Sequence, residues 1–252
     1  MGEVIEKIMK FGIISDIHSN AEAMDGVLEH MEEVDEIICL GDIVGYGADP
    51  NYCIKRIKDL NCKCIGGNHD FGVIGKVNIN YFNYVAKAAI LWTSHQLNKE
   101  NIEFLLSLNK KLKIEDNVFA VHGSPQEPIL EYILDKNSAS LIFKKYNFKI
   151  YFIGHSHLAG CFSFDENNNK INYMDFSNGG YIEILKNKRY IINCGSVGQP
   201  RDGNSRASYG IYDTNLKKVV INRVSYPIYQ TKKKIINAEL PRILAERLSI
   251  GR

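Results

Sequence analysis

The sequence predicts an α/β fold in which two packed β-sheets are flanked by helices. Three observations carry that prediction. Five short apolar runs, at 10–15, 36–40, 62–65, 118–121 and 150–153, are nearly continuous, as in strands covered on both faces. Helical periodicity follows the early runs. After Leu158 the pattern changes to alternating or β-rich pieces separated by turn clusters, which implies antiparallel strands and a second sheet packed on the first.

Ser19-Asn20-Ala21-Glu22 fits a capping box, and Met24, Val27, Leu28 and Met31 then follow helical spacing, so a helix succeeds the first strand. The Gly-rich turn 43–50 after the second strand leads into a helix through Ile54, Ile57 and Leu60. From Tyr81 to Leu108 the spacing predicts two helices split near 98–101, placed to wall one side of a site at the strand ends. Two strands within 110–122, a helix at 138–146 and a strand at 149–153 complete the first half. Further strands are predicted at 159–164, 170–176, 181–185, 189–194, 207–212 and 217–224, with turns at 166–169 and 177–180. A terminal helix is expected around Leu240 to Leu248. The run Lys232-Lys233-Lys234 reads as a solvated helix face, with phosphate steering as the lesser alternative.

A chain of 252 residues can bury a full core, and a single domain over 1–252 is expected. The balance of 31 Lys plus Arg against 29 Asp plus Glu argues against a strongly basic nucleic-acid groove or a polybasic membrane face. Six cysteines without a CxxC pair read as reduced thiols packed in the core. The start, Met1 to Lys7, lacks an apolar leader core, and no stretch reaches the roughly 18 apolar residues of a membrane span. A cytoplasmic location is expected.

Each of the five apolar runs ends in residues that can bind a metal: Asp16 and His18; Asp42; Asn68, His69 and Asp70; His122; His155 and His157. Open α/β sheets bind ligands just beyond the carboxyl ends of their strands, so these side chains should converge. Taken singly, Asp16 or Asp42 is as readily a helix cap, and His122 a satisfied polar residue. Together they are a pattern: five of the seven histidines occupy strand ends, and only His30 and His95 fall in predicted helices. Asp, Asn and His donors suit borderline divalent ions such as Mn, Fe, Ni or Zn and exclude a pure Mg site. Gly41, Gly67 and Gly154 before the ligands permit sharp turns.

The ordered pieces Asp16-Ile17-His18, Gly41-Asp42, Gly67-Asn68-His69-Asp70, His122 and Gly154-His155-Ser156-His157 resemble the signature of the calcineurin-like metallophosphoesterase family. The resemblance implies that family's sandwich of two mixed sheets flanked by helices, and a metal-dependent phosphoesterase, foremost a phosphodiesterase. It implies two divalent ions, with Mn first and Ni, Fe or Zn as alternatives, and a hydroxide bridging them as nucleophile. Asp16, His18 and His157 would hold one ion, Asn68, His122 and His155 the other, and Asp42 would bridge both. His69 would serve the leaving-group oxygen as general acid or hydrogen-bond donor, with Asp70 the candidate to take its other ring proton. Asn68 would also lie against the substrate.

Protein phosphatases and diadenosine tetraphosphatases of the family carry an Arg-Gly after the bridging Asp, whereas 41–47 here contain no arginine. That segment, and the run Gly195-Ser196-Val197-Gly198-Gln199-Pro200-Arg201-Asp202, look like the family's small bacterial and archaeal phosphodiesterase branch. Arg201 either forks onto a phosphate or makes a surface turn with Asp202 or Arg206. Tyr46, Tyr52, Phe71 and Tyr81 are candidates for base stacking or for plain packing. The substrate is then a small phosphate ester or nucleotide; diadenosine polyphosphates, cyclic nucleotides and phosphomonoesters are alternatives, and homo-oligomerisation is open. A DNA-repair nuclease is disfavoured by the near-neutral charge, and a scaffold like the retromer subunit of this fold by the intact ligand set.

Overall fold

A computed structural model of the protein describes residues 8–252. The N-terminal stretch Met1 to Lys7, read above for a leader, lies outside the described residues. The apolar runs become β1 (Lys10–Ile14), β2 (Glu36–Cys39), β3 (Lys63–Cys64), β5 (Val118–Val121) and β6 (Ile150–Ile153), with β4 (Lys111–Glu115) pairing antiparallel to β5. The third run keeps only two residues as strand, because it edges its sheet and turns at once into Gly66-Gly67.

The later strands are β7 (Gly160–Asp165), β8 (Lys170–Asp175), β9 (Gly180–Glu183), β10 (Lys188–Asn193), β11 (Ala207–Asp213) and β12 (Lys218–Val224). They do not form a sheet of their own. One six-stranded sheet runs β3-β2-β1-β11-β12-β9, the other β4-β5-β6-β10-β7-β8. Each is mixed: β1 is parallel to β2 but antiparallel to β11, and β10 is parallel to β6 but antiparallel to β7. Apolar runs report burial on two faces, not which sheet supplies the partner, so the division between halves of the chain did not carry over.

Period-two alternation sorts the apolar side chains between layers. Ile13, Ile38, Phe152 and Ile192 face the layer between the sheets, where the Phe152 and Tyr212 ring centroids lie 5.7 Å apart. Ile14, Cys39 and Ile211 point outward against α1 (Ala21–His30) and α2 (Pro50–Asp59) through Met24, Val27, Cys53, Ile54 and Ile57. On the other side Tyr151, Ile153 and Phe162 pack on α6 (Lys136–Lys145) through Ile142 and Phe143. Burying each such side chain contributes about 1.5–3 kcal/mol, and Phe152→Ala should cost about 3–5 kcal/mol.

α3 (Asn68–Val73), α4 (Tyr84–Gln96) and α5 (Lys99–Ser107) follow β3, and α7 (Ile228–Asn237) and α8 (Arg242–Glu246) close the chain. The cap of α1 is Asn20, whose side chain accepts from the Ala23 amide; Ser19, the sequence candidate, has φ 52° instead, and Glu22 pairs with Lys234. All six cysteines are free thiols, four of them buried. Among the described residues no helix is long and apolar enough to cross a membrane. Because β1, β2 and β3 of one sheet and β5 and β6 of the other end at the same edge, their following loops meet there: the Asp16 amide donates to Gly41 O at 3.0 Å and the Gly154 amide to His122 O at 2.9 Å.

Candidate metal centre

Five of the predicted ligands sit in the left-handed backbone region: Asp16 (φ 54°), His18 (49°), Asp42 (52°), His155 (64°) and His157 (60°). For non-glycine residues that conformation costs about 1–3 kcal/mol each and persists only where the surroundings impose it. Cross-loop bonds impose it here. The His18 amide donates to Asp42 O at 3.0 Å, the Gly198 amide to Asp16 O at 2.9 Å and the Arg201 amide to His157 O at 3.2 Å. The turn at Gly67 is equally tight: a Cβ there would lie 2.1 Å from Asp42 Oδ1, so only glycine lets the third loop reach the second.

The side chains so aimed form two groups of potential ligands that share Asp42: Asp16, His18, Asp42 and His157, and Asp42, His122 and His155. All are buried. Asp42 Oδ2 lies 3.6 Å from His18 Nε2 and 3.3 Å from His122 Nε2, and Asp16 Oδ1 lies 3.3 Å from His157 Nε2. Asn68 joins the second group, with Oδ1 3.0 Å from His122 Nε2.

The tautomers test whether this set fits a cation. His18, His122 and His157 each direct Nδ1 at a backbone carbonyl, of Val44, Leu40 and Gln199 respectively. A carbonyl only accepts, so Nδ1 carries the proton in each, and the neutral rings of His18 and His157 present a lone pair at Nε2. The Nε2 atoms of His18 and His157 nevertheless face each other at 3.1 Å, and His122 Nε2 faces the Asn68 and Asp42 oxygens. Asp16 Oδ2 is buried without a partner. Lone pairs crowded on lone pairs out of water are stable only around positive charge, and rings anchored through the far nitrogen are how proteins orient metal ligands. The set fits divalent metal.

The electrostatics agree. Burial holds His18 and His157 well below the usual imidazole range, and burial with His122 nearby brings His155 down to about 3, so these rings stay neutral. His122 is the exception: burial opposes its charge, but Asp42 outweighs that and lifts it to about 9, so its Nε2 holds a proton toward Asp42, the positive charge that a bound cation would replace. Burial raises Asp16 to about 6, with the neighbouring Asp42 adding to the rise.

His69 lies within the same cluster, its ring 4.3 Å from Tyr46, 4.8 Å from His18 and 5.3 Å from Phe82. Its amide donates to Asp42 Oδ1 at 2.8 Å, and its Nδ1 is buried without a partner. The expected His69–Asp70 pair is absent. Successive residues of a helix point about 100° apart, and Asp70 instead accepts from the Val44 amide at 3.1 Å and the Gly67 amide at 3.0 Å, tying two ligand loops together. Without a carboxylate on its ring, and with burial as the largest cause, His69 falls to about 4.

A cavity of about 270 Å³ opens over Asp42, Asn68, His69, His155 and His157. Arg201 lines it rather than making a surface turn: its Nη2 donates to Gln199 Oε1 at 2.9 Å and Tyr46 OH at 3.3 Å, while Asp202 pairs with Arg223. No arginine closely follows Asp42 in sequence, but the fold brings this one to the cavity from a distant loop. Of the aromatic candidates, Tyr46 and Tyr81 border the cavity, whereas Tyr52 bonds Asp25 elsewhere and Phe71 is core. Sequence reasoning missed Phe82 and Tyr132; Tyr132 stacks on His155 with ring centroids 3.8 Å apart. Its signal was position, in the loop that follows the His122 strand. Lys234 of the lysine run is engaged by Glu22 and Asp49, and His30 and His95 bond carbonyls of their own helices.

Residues 9–217 match the calcineurin-like phosphoesterase superfamily domain. Over 249 residues the chain is 43% identical to an uncharacterized protein of Methanocaldococcus jannaschii, covering 95% of this chain and 97% of that one. It also matches the crystal structure of a metallophosphoesterase from Sphaerobacter thermophilus at 38% identity and TM-score 0.88, over 98% of this chain and 100% of the other. A hypothetical protein from Pyrococcus horikoshii shares the fold, with TM-score 0.76 at 20% identity, over 96% and 98% of the two chains. A strand-end cluster of this composition, in this two-sheet frame and with these relatives, places the chain in the calcineurin-like phosphoesterase superfamily.

Proposed function

We propose that the protein is a metal-dependent phosphodiesterase working with two divalent ions, Mn first and Ni, Fe or Zn as alternatives. The observation that carries the reading is the pair of ligand groups sharing Asp42. Asp16, His18 and His157 would hold one ion, Asn68, His122 and His155 the other, with Asp42 common to both. Bound there, the ions supply an acidified water as nucleophile and neutralise charge on the phosphoryl group.

The chain's own residues do the rest. Asp70 and Gly67 fix the loops that aim Asp42 and Asn68. With no carboxylate partner and its pKa down at about 4, His69 is neutral at pH 7, so it acts as a hydrogen-bond donor to the leaving-group oxygen rather than as an imidazolium acid. Arg201 contributes one fixed guanidinium, and Asn68 a side-chain amide, toward the phosphoryl oxygens. The choice of a diester rests on the likeness of 41–47 and 195–202 to the family's small phosphodiesterase branch. The substrate is a small ester or nucleotide rather than a nucleic-acid polymer, given 31 basic against 29 acidic residues. Comparing kcat/KM of metal-reconstituted protein on a nitrophenyl diester and on the monoester of the same alcohol tests this, and a monoester preference contradicts it.

A further inference from the structure

Aromatic rings surround the metal-site histidines on several sides, and two of them are not packed as core. Tyr46 sits against His18 and His69, and Phe82 meets His69 edge-on. Tyr132 covers His155 with one face, at an interplanar angle of 16°, yet leaves 45% of its surface exposed. Tyr81 borders the same cavity and is 75% exposed. Two aromatic faces left open at the rim of one concave polar site offer a ligand apolar surface beside its polar groups.

We propose that the cavity selects phosphoesters carrying a planar heteroaromatic ring, that is nucleotides, and that Tyr132 and Tyr81 are the surfaces on which the ring stacks. This rests on the phosphoesterase reading of the metal centre. Every nucleobase has a π-face, so aromatic walls of this kind hold bases with little regard to sequence. The polar groups are also present. Asn83 lines the cavity, and its Oδ1 is used by the Ala86 amide at 2.9 Å, which leaves its NH₂ as a donor for a ring nitrogen or carbonyl. Arg201 reaches the phosphate side, with its guanidinium carbon 5.7 Å from the Tyr46 ring centroid. About 270 Å³ suits one base with its sugar and phosphate.

The test compares adenosine 5′-monophosphate with ribose 5-phosphate, which keeps sugar and phosphate and lacks the ring, by calorimetric titration of metal-loaded and of chelated protein. The expected result is binding of the nucleotide roughly tenfold tighter or more in both forms. Tyr132→Leu and Tyr81→Leu should each shrink that ratio. Tyr81 is exposed, so its variant remains informative should loss of Tyr132 disturb His155. A nucleotide that binds no tighter than ribose 5-phosphate, or not at all, overturns the proposal, as does a ratio unchanged in both variants. The two readings fail separately: a metal-loaded protein that hydrolyses nitrophenyl diesters but ignores the base keeps the phosphodiesterase and loses the stacking role of Tyr132 and Tyr81. One that hydrolyses no diester while preferring the nucleotide does the reverse.

Discussion

The Nε2 atoms of His18 and His157 lie 3.1 Å apart while the Nδ1 atom of each ring faces a backbone carbonyl, so two lone pairs confront each other in a buried site. A cation bound between such groups stabilises the folded chain and has no equivalent site in the unfolded one. Chelation should therefore lower Tm. At metal 100-fold above Kd the gain is about 2.7 kcal/mol, or roughly 5–10 °C for a chain of this size. Scanning calorimetry of chelated and reloaded protein measures it, and an unchanged Tm contradicts a resident metal.

The chelated protein should also weaken in acid. His18, His69, His155 and His157 have imidazoles lowered chiefly by burial, so the folded state stays neutral while the unfolded chain takes up protons below 6.5. That stability is present above pH 6.5 and is lost as pH falls toward about 4. Asp16 and Asp70, raised mainly by burial to about 6 and about 7, and His122, lifted by Asp42 to about 9, act in the opposite direction but are three groups against four. The net of about one proton over this range corresponds to about 1.4 kcal/mol per pH unit. Urea midpoints at pH 7 and 5.5 decide it: a higher midpoint in acid is the wrong sign.

His69→Ala should retain metal and lose kcat by about 10²–10³-fold, the effect of removing one donor from a developing oxyanion. The loss should shrink with a nitrophenolate leaving group, which needs little stabilisation, and persist with an alkoxide. Equal losses on both would make His69 a support for the ligands instead.

Arg201→Ala should raise KM for polyphosphate nucleotides more than for a simple aryl diester, since only the former offers a second phosphate to the guanidinium. Steady-state kinetics on both substrates reads the difference directly. An unchanged nucleotide KM would reduce Arg201 to a contact of Tyr46 and Gln199.

The metal cluster was legible because chemistry and topology coincide in it: ligand-type residues follow apolar strands, and strands of either sheet end at one edge. Strand and helix positions were legible for the same periodic reasons, within a residue or two for β10, β11 and β12. Sheet partnership was not, since a run such as Ile150–Ile153, buried on both faces, could join either sheet. The role of Asp70 was misjudged because adjacency in sequence is divergence on a helix, and its carboxylate serves the Val44 and Gly67 amides instead. Arg201 carries no local signal of its place, because only the folding of the loop after β10 over Tyr46 brings it to the cavity. Tyr132 carried no motif, and its meaning comes from the His155 ring beneath it.

The shared position of Asp42 between the two ligand groups is the centre of the account, and counting metal in the wild type, Asp42→Ala and His18→Ala proteins by elemental analysis tests it most directly. Two ions per chain are expected in the wild type, weakened occupancy of one site in His18→Ala, and loss of both in Asp42→Ala. Two ions per chain in the Asp42 variant, or a single ion in the fully loaded wild type, would contradict it.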